Sequence, residues 1–408
     1  MATVAIIAEY NPFHNGHKYQ IDEIRREFGN DTKIIALMSG NYTQRGDIAI
    51  LDKSLRAKMA VDSGINLCIE LSFPFSMASA EIFARSGVKI LNAIGVVDYL
   101  SFGSESGDLD ELYRTAKLML SEEYQAALKN VMNGDNKAKG YPEQCELALK
   151  SVSDGYRTVA PSPNNILALE YIKALIETKS TIKPHTIKRE GAGYNDNIDP
   201  KTQLQSATAI RELIIRRDVS AEKYIPYTAF STLYDAIQAG EAPCYTTTIS
   251  SLIIAHLRRI DISSIGHLHD LNDGLLYRLK DASFKTNNIE TLVKLTTTKK
   301  FTTARIKRAI WYSYFGVTSS EILSLPEYTQ LLALDTDGRD LLKRIKKLSD
   351  FPILTKPSRL NSLSEKALLQ KARSDEADSI YHLSHPTFVD GAVSVRFTPY
   401  VKNGDLCE

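Results

Sequence analysis

The sequence predicts an α/β protein built on a doubly wound, parallel, Rossmann-like sheet that is followed by a mainly helical part. Two patterns support this fold class. Apolar runs typical of buried strands alternate with single amphipathic helical patterns over residues 3–104, which implies parallel strands joined by right-handed crossovers. Turn residues follow the carboxyl ends of several of these runs, where ligands bind on such sheets.

The first half of the chain supplies the predicted sheet. The predicted strands cover residues 4–8, 33–38, 67–71, 99–102 and 183–188. Helical patterns lie near residues 18–28, 53–63, 78–94 and, with breaks at 140–142 and 162–165, over 108–177. Residues 190–205 are rich in Gly, Asn, Asp and Gln and predict a loop, after which a helix runs from Ser206 to Ile214.

The second half predicts amphipathic helices from about 226 to 370, with short strand-like runs at 387–389 and 393–397. A chain of 408 residues exceeds what one core usually organises. We therefore predict two domains, one over 1–220 and a mainly helical one over 221–408, with the boundary near 217–226.

Composition limits the class of protein. Hydrophobic residues make up 43% and charged residues 24% of the chain, as in ordinary globular proteins, and the net charge of +1 means that any nucleic-acid site is a local patch. The four cysteines are scattered, which fits a reducing compartment. The N-terminus lacks a basic leader, and apolar runs stay below the ~18 residues of a membrane helix. We predict a cytoplasmic protein without a membrane partner.

Two motifs stand at predicted helix starts. His14-Asn15-Gly16-His17 follows the first strand, so both histidines face one spot beside the free N–H groups of the next helix, which favour phosphate. In 206–211, Ser206 can cap a helix, Thr208 can hold a phosphate oxygen, and Arg211 lies one turn along.

These motifs resemble the HIGH and Ile-Ser-Ser-Thr-x-Ile-Arg signatures of nucleotidyltransferases and class I aminoacyl-tRNA synthetases, with Ala207 where a second Ser is common. A closer resemblance covers about the first half of the chain. Five segments are similar to the bacterial tRNA(Met) cytidine acetate ligase family: 9–17, 38–46, 102–105, 163–167 and 189–196. The helical half resembles that family mainly in length and helical character.

The resemblance implies a tRNA-modifying ligase, with its catalytic domain over 1–220 and a tRNA-binding domain over 221–408. Such an enzyme activates acetate with ATP to acetyl-adenylate, releasing pyrophosphate. It then transfers the acetyl group to N4 of the wobble cytidine of elongator tRNA(Met), releasing AMP. Magnesium is expected with ATP, and no obligatory protein partner is evident.

The resemblance also implies site residues. The catalytic set is His14, His17 and Arg211. The ATP-binding set is Ile7, Ala8, Glu9, Tyr10, Asn11, Pro12, Phe13, His14, Asn15, Gly16, His17, Gly103, Asn164, Arg189, Ser206 and Thr208. We assign Arg45 to acetate or phosphate, and Glu9 either orients a histidine or holds magnesium through water. No residue is assigned as a direct metal ligand.

Basic residues near 299–308 are candidates for binding tRNA. They are Lys299, Lys300, Arg305, Lys307 and Arg308, flanked by Phe301, Trp311 and Tyr312. This composition fits a surface that binds RNA phosphates and stacks on bases. It fits almost equally well a basic helix whose aromatic residues face the core. Lys53, Arg56 and Lys58 fit a solvated helix face at least as well as an RNA contact.

Two other functions remain open at this point. A small-molecule adenylyltransferase of the same superfamily would use both motifs, but it has little need of a long helical half. An RNA-binding protein that keeps a nucleotide pocket as a switch would not need both imidazoles.

Overall fold

The fold is an eight-stranded, mainly parallel sheet covered by helices on both faces. The computed structural model describes residues 1–134, 140–153, 158–159, 162–189, 204–262, 267–272 and 274–402. The first strands are β1 (Thr3–Ala8), β2 (Lys33–Ser39), β3 (Leu67–Leu71), β4 (Tyr99–Ser104) and β5 (Lys183–Lys188). They lie in the order β5-β4-β1-β2-β3 and every neighbouring pair is parallel, which confirms the predicted fold class.

Helices connect these strands much as the sequence predicts. They are α1 (Asn15–Phe28), α2 (Lys53–Asp62), α3 (Ala80–Ile94), α4 (Leu109–Met119), α5 (Glu122–Asn133), α6 (Tyr141–Val152), α7 (Pro163–Glu177) and α8 (Ala207–Ile215). Short polar side chains start several of them. Asp52 caps α2, Ser79 caps α3 and Ser206 caps α8, each accepting a backbone N–H of the first turn.

Both faces of the sheet are buried. Val4 and Ile6 of β1 pack in one apolar cluster, whereas Ala5 between them packs in the other. Successive side chains of a strand point to opposite faces, so a strand that is apolar throughout must be covered on both sides. This explains why the predicted strands are continuous apolar runs.

The second half of the chain is mainly helical, and it also completes the sheet. Its helices are α9 (Tyr227–Gln238), α10 (Ser250–Arg259), α11 (Leu275–Ser283), α12 (Ile289–Thr296), α13 (Thr303–Phe315), α14 (Ser319–Leu323), α15 (Thr336–Leu348) and α16 (Glu365–His382). Strand β6 (Thr329–Leu334) pairs antiparallel with β3, and β7 (Ile353–Leu354) and β8 (Tyr400–Val401) pair with β6.

Three local predictions for this half are wrong. Strand β6 was not predicted, because its short apolar run is enclosed by helical patterns. The run at 387–389 forms no strand, and residues Val393–Arg396 form a 3-10 helix. The domain boundary near residue 220 stays a prediction, and strands from both sides of it lie in one sheet.

Across the described ranges, none of the helices is both long and apolar enough to cross a lipid bilayer.

Candidate functional site

The two histidines of the first motif lie side by side where β1 turns into α1. His14 caps the helix, and its Nδ1 accepts a hydrogen bond from the backbone N–H of Gly16 at 3.0 Å. The backbone N–H of His14 in turn donates to Nδ1 of His17 at 3.2 Å. This reciprocal arrangement is a capping box made from two imidazoles. The ring centroids are 3.8 Å apart.

These hydrogen bonds fix the chemical form of both rings. A nitrogen that accepts a backbone N–H carries no proton, so each neutral ring holds its proton on Nε2. Burial, together with the smaller effects of the charges of Arg189 and Arg211, lowers the pKa of His14 to about 3. Burial, His14 and Arg189 together hold the pKa of His17 well below its ordinary value. Near neutral pH both rings are therefore uncharged donors.

Gly16 is required by the histidines themselves. A Cβ at this position would lie 2.8 Å from Cε1 and 3.0 Å from Nδ1 of His14. This requirement needs no ligand, because a larger residue would displace the His14 ring.

A cavity of about 260 Å³ opens beside the two rings. It lies at the carboxyl ends of β1, β4 and β5, where the fold class predicts a ligand site. The predicted site residues that line it are Ile7, Ala8, Glu9, His14, Gly16, His17, Arg45, Gly103, Asn164, Arg189 and Ser206. Other lining residues, such as Gln44, Phe83 and Tyr171, were not predicted. We call this space the histidine cavity.

The remaining residues of the first motif pack behind the histidine turn and support it. Tyr10 and Phe13 are buried, and their rings pack against His17 at centroid distances of 4.8 and 5.4 Å. Asn11 and Pro12 are also buried. Asn11 accepts the backbone N–H of Ile50, and Asn15 donates to the carbonyl of Lys223. Their direct contact with a nucleotide stays a prediction.

Thr208 and Arg211 line a second cavity, of about 370 Å³, rather than the histidine cavity. The start of α8 lies between the two cavities. Ser206 and Ala207 line the histidine cavity, and Thr208 lines the second cavity. Arg211 donates to the carbonyl of Asn11 at 2.8 Å and to Oγ1 of Thr208 at 3.0 Å. It therefore joins α8 to the histidine turn.

A polar ladder forms the far wall of the histidine cavity. Arg189 donates to Oδ1 of Asn164 at 2.9 Å, and Nδ2 of Asn164 donates to Glu105 at 2.6 Å. Arg189 is thus held in place at the cavity. The predicted loop and most of the fifth family-like segment, residues 190–203, lie outside the described residues.

Three residues near the site have roles that sequence analysis did not predict. Glu9 accepts the backbone N–H of Gln44 at 2.8 Å, so it holds the loop that carries Arg45, and its contact with a histidine or with magnesium stays a prediction. Arg56 is fully buried. Its guanidinium donates to the carbonyls of Glu9, Ser39, Gly40 and Leu51. The expectation of a solvated face is wrong for Arg56 and also for the buried Lys53.

The basic residues of α13 are mostly engaged within the protein. Arg305 pairs with Asp270, Lys307 pairs with Asp47, and Arg308 donates to the carbonyl of Gln44. The flanking aromatic residues Phe301, Trp311 and Tyr312 are buried. The expectation that they stack on bases is therefore wrong. Lys299 and Lys300 are exposed, and their contact with tRNA stays a prediction.

Over the ranges described above, His, Cys, Asp and Glu form no group of three or more that fits a metal ion.

Known proteins match this chain over nearly its whole length. The family model described as HIGH Nucleotidyl Transferase matches residues 1–390. A tRNA(Met) cytidine acetate ligase from Thermoanaerobacter sp. (strain X514) is 37% identical over 380 residues, which cover 91% of this chain and 93% of that protein. The protein of the same name from Caldanaerobacter subterraneus subsp. tengcongensis is 35% identical and covers 98% of this chain. This chain belongs to the tRNA(Met) cytidine acetate ligase family.

Solved structures agree with this family. Thermotoga maritima TmcAL bound with alpha-thio ATP (Form II) matches with a TM-score of 0.90 and 28% identity, covering 98% of this chain and 100% of that chain. The apo form I of the same protein gives a TM-score of 0.92. The similarity to the acetate ligase family therefore includes the helical half, for which sequence motifs gave the weaker resemblance.

Proposed function

We propose that this protein is an ATP-dependent tRNA(Met) cytidine acetate ligase that forms acetyl-adenylate and acetylates N4 of the wobble cytidine of elongator tRNA(Met). The observation that carries the proposal is the pair of neutral imidazoles at the N-terminus of α1, beside the histidine cavity. It occurs in a chain that matches this family almost from end to end.

The proposed first step joins acetate to ATP in the histidine cavity. An oxygen of acetate bonds to the α-phosphorus while the bond to pyrophosphate breaks. Acetate is an anion at neutral pH, so the step needs no general base. Catalysis then consists of positioning and of stabilising charge. The Nε2–H groups of His14 and His17 donate to the α-phosphate oxygens, and neutral rings do so without a proton transfer.

Cationic groups surround the reacting atoms in this proposal. Arg45 binds the acetate carboxylate, and Arg189 adds positive charge at the nucleotide. Arg211 and Thr208 hold the leaving pyrophosphate, and the cavity that they line gives it a place to depart. Gly103 and Asn164 contact the adenosine. Magnesium enters on the phosphates of ATP, since the described residues offer it no cage.

The proposed second step transfers the acetyl group to RNA. The N4 amine of cytidine attacks the acetyl carbon, the bond to AMP breaks, and the amine loses one proton. A wobble base lies in a single-stranded loop, so it is extruded at less cost than a base in a duplex. Lys299 and Lys300 supply phosphate contacts. Because ATP and tRNA are both cytoplasmic, we place the protein in the cytoplasm.

The test is a reaction with labelled acetate, ATP and purified tRNA(Met), followed by nucleoside mass spectrometry. We expect N4-acetylcytidine, formed together with AMP and pyrophosphate and only when acetate is present. A tRNA(Met) transcript with uridine at the wobble position is the matched control and should stay unmodified. Lack of acetylation together with a stable adenylylated metabolite in tRNA-free reactions would support the small-molecule adenylyltransferase instead.

A further inference from the structure

A buried cluster of charges joins the C-terminal half to the nucleotide-binding sheet. Nζ of Lys53 in α2 lies 2.8 Å from Oε1 of Glu70 in β3 and 2.6 Å from Oδ2 of Asp378 in α16. Lys53 is 6%, Glu70 1% and Asp378 2% exposed. Residues more than 300 positions apart thus share one ion-pair network.

The cluster continues into the loop after β2. Nδ2 of Asn41 donates to Oδ1 of Asp378 at 3.0 Å, and its Oδ1 accepts the backbone N–H of Lys53 at 2.8 Å. The hydroxyl of Tyr42 donates to the carbonyl of Ala377 at 2.9 Å. Helix α16 therefore holds two successive loop residues.

The same loop forms a wall of the histidine cavity three residues later. Gln44 and Arg45 line that cavity, and Gln44 is anchored by Glu9 at the end of β1. The start of the loop rests on the cluster as well, because a Cβ at Gly40 would lie 2.5 Å from Oε1 of Glu70. The position of Arg45 is thus fixed from β1 on one side and from α16 on the other.

Stability alone does not account for such a cluster. Removing three charges from water costs several kcal/mol per ion, and apolar residues of similar volume often stabilise a fold equally well. What the ion pairs provide is a defined geometry, since each hydrogen bond is satisfied in one arrangement only.

We propose that Asp378 is a positioning residue for acetate activation. Helix α16 positions the loop that presents Arg45 to acetate. It does so through the contacts of Asp378 with Asn41 and Lys53, and through the hydrogen bond from Tyr42 to the carbonyl of Ala377. The inference rests on the proposed function and deepens it. The C-terminal half then acts in the first step, before any tRNA is bound.

The test measures acetate-dependent exchange between ATP and pyrophosphate without tRNA. For Asp378→Ala we expect the KM of acetate to rise about tenfold to a hundredfold, as for a misplaced reacting group. The dissociation constant of ATP should stay within about twofold. Tyr42→Phe keeps the ring and removes one hydrogen bond, so it folds and should raise the same KM by a smaller factor.

The control within the same helix is Lys366→Ala. Lys366 lies about three turns of α16 before Asp378 and forms a part-exposed pair with Glu327, so this variant should exchange like the wild type. A double variant tests the route through the arginine. If Asp378 acts through Arg45, Arg45→Ala with Asp378→Ala is no worse than Arg45→Ala alone.

Each outcome separates the two proposals. An acetate KM within twofold of wild type in both Asp378→Ala and Tyr42→Phe overturns the inference, and so do fully additive effects in the double variant. Wild-type protein that acetylates tRNA but shows no exchange without it also overturns the inference. Wild-type protein that does neither overturns the proposed function.

Discussion

The backbone amide of His14 donates to Nδ1 of His17, so the second imidazole completes the cap of the helix on which it lies. A structural hydrogen bond and the proposed chemical role thus meet in one side chain. Nδ1 is used by the fold, and Nε2 is left for the proposed contact with phosphate.

This arrangement predicts that His17→Gln folds but is inactive. Glutamine is a common partner at this position of a capping box, and its Oε1 can accept the same N–H. With Oε1 in that bond, the amide nitrogen of glutamine does not reach the position of the imidazole Nε2, so we expect the rate of acetate-dependent exchange to fall about a hundredfold to a thousandfold. The melting temperature should change little. A variant that keeps most of its exchange rate would contradict the role of His17.

The lowered pKa of His14 predicts a loss of stability in acid. The folded protein resists protonation until about pH 3, whereas an unfolded histidine binds a proton below about pH 6.5. The unfolded state therefore gains protons first, and stability falls as pH drops from 6.5 toward 3. Between pH 7.5 and 5 this costs about 2 kcal/mol.

Urea unfolding of wild type and His14→Asn at both pH values measures the effect. Asparagine also caps helices well, so the cap is matched and the titrating ring is removed. The stability advantage of wild type over the variant should shrink at pH 5. A constant difference would show that His14 is not buried as a neutral ring.

The close approach of Gly16 to His14 predicts that the effects of substitutions at these two positions are not additive. Gly16→Ala forces the ring aside, so exchange activity should fall at least about tenfold with a loss of about 1–3 kcal/mol in stability. In a His14→Ala background the clash disappears, and the same substitution should cost almost no stability. Equal costs in both backgrounds would mean that the ring is not what excludes a side chain.

The hydrogen bonds of Arg56 predict that even a conservative substitution lowers the free energy of unfolding strongly. A lysine cannot follow the fork of a guanidinium that reaches four carbonyls. Arg56→Lys should therefore cost about 2–4 kcal/mol in urea unfolding. Lys58→Ala, in the same helix, removes a part-exposed pair with Asp62 and should cost less than about 1 kcal/mol. Similar costs for the two variants would contradict this reading of Arg56.

The sequence predicts those parts of the fold that depend on neighbouring residues. Strand β3 begins and ends where its apolar run does, at Leu67 and Leu71, because a strand buried on both faces is a local pattern. The histidine turn is equally local, since strand, turn and helix follow one another without interruption.

Contacts between distant segments are what the sequence does not predict. Lys53 looks like part of a solvated helix face until Asp378 is brought beside it. On α13, charges alternate with aromatic residues, and the pattern does not say which face is covered. Trp311 is buried, and its indole N–H donates to the carbonyl of Gly46, far away in the chain.

The antiparallel pairing of β3 with β6 also has a consequence for synthesis on the ribosome. The edge of β3 meets its partner only after about 250 further residues have been added, which takes roughly 10–50 s at about 5–20 residues per second. Until then a nascent chain presents an open, apolar strand edge of the kind that recruits other chains.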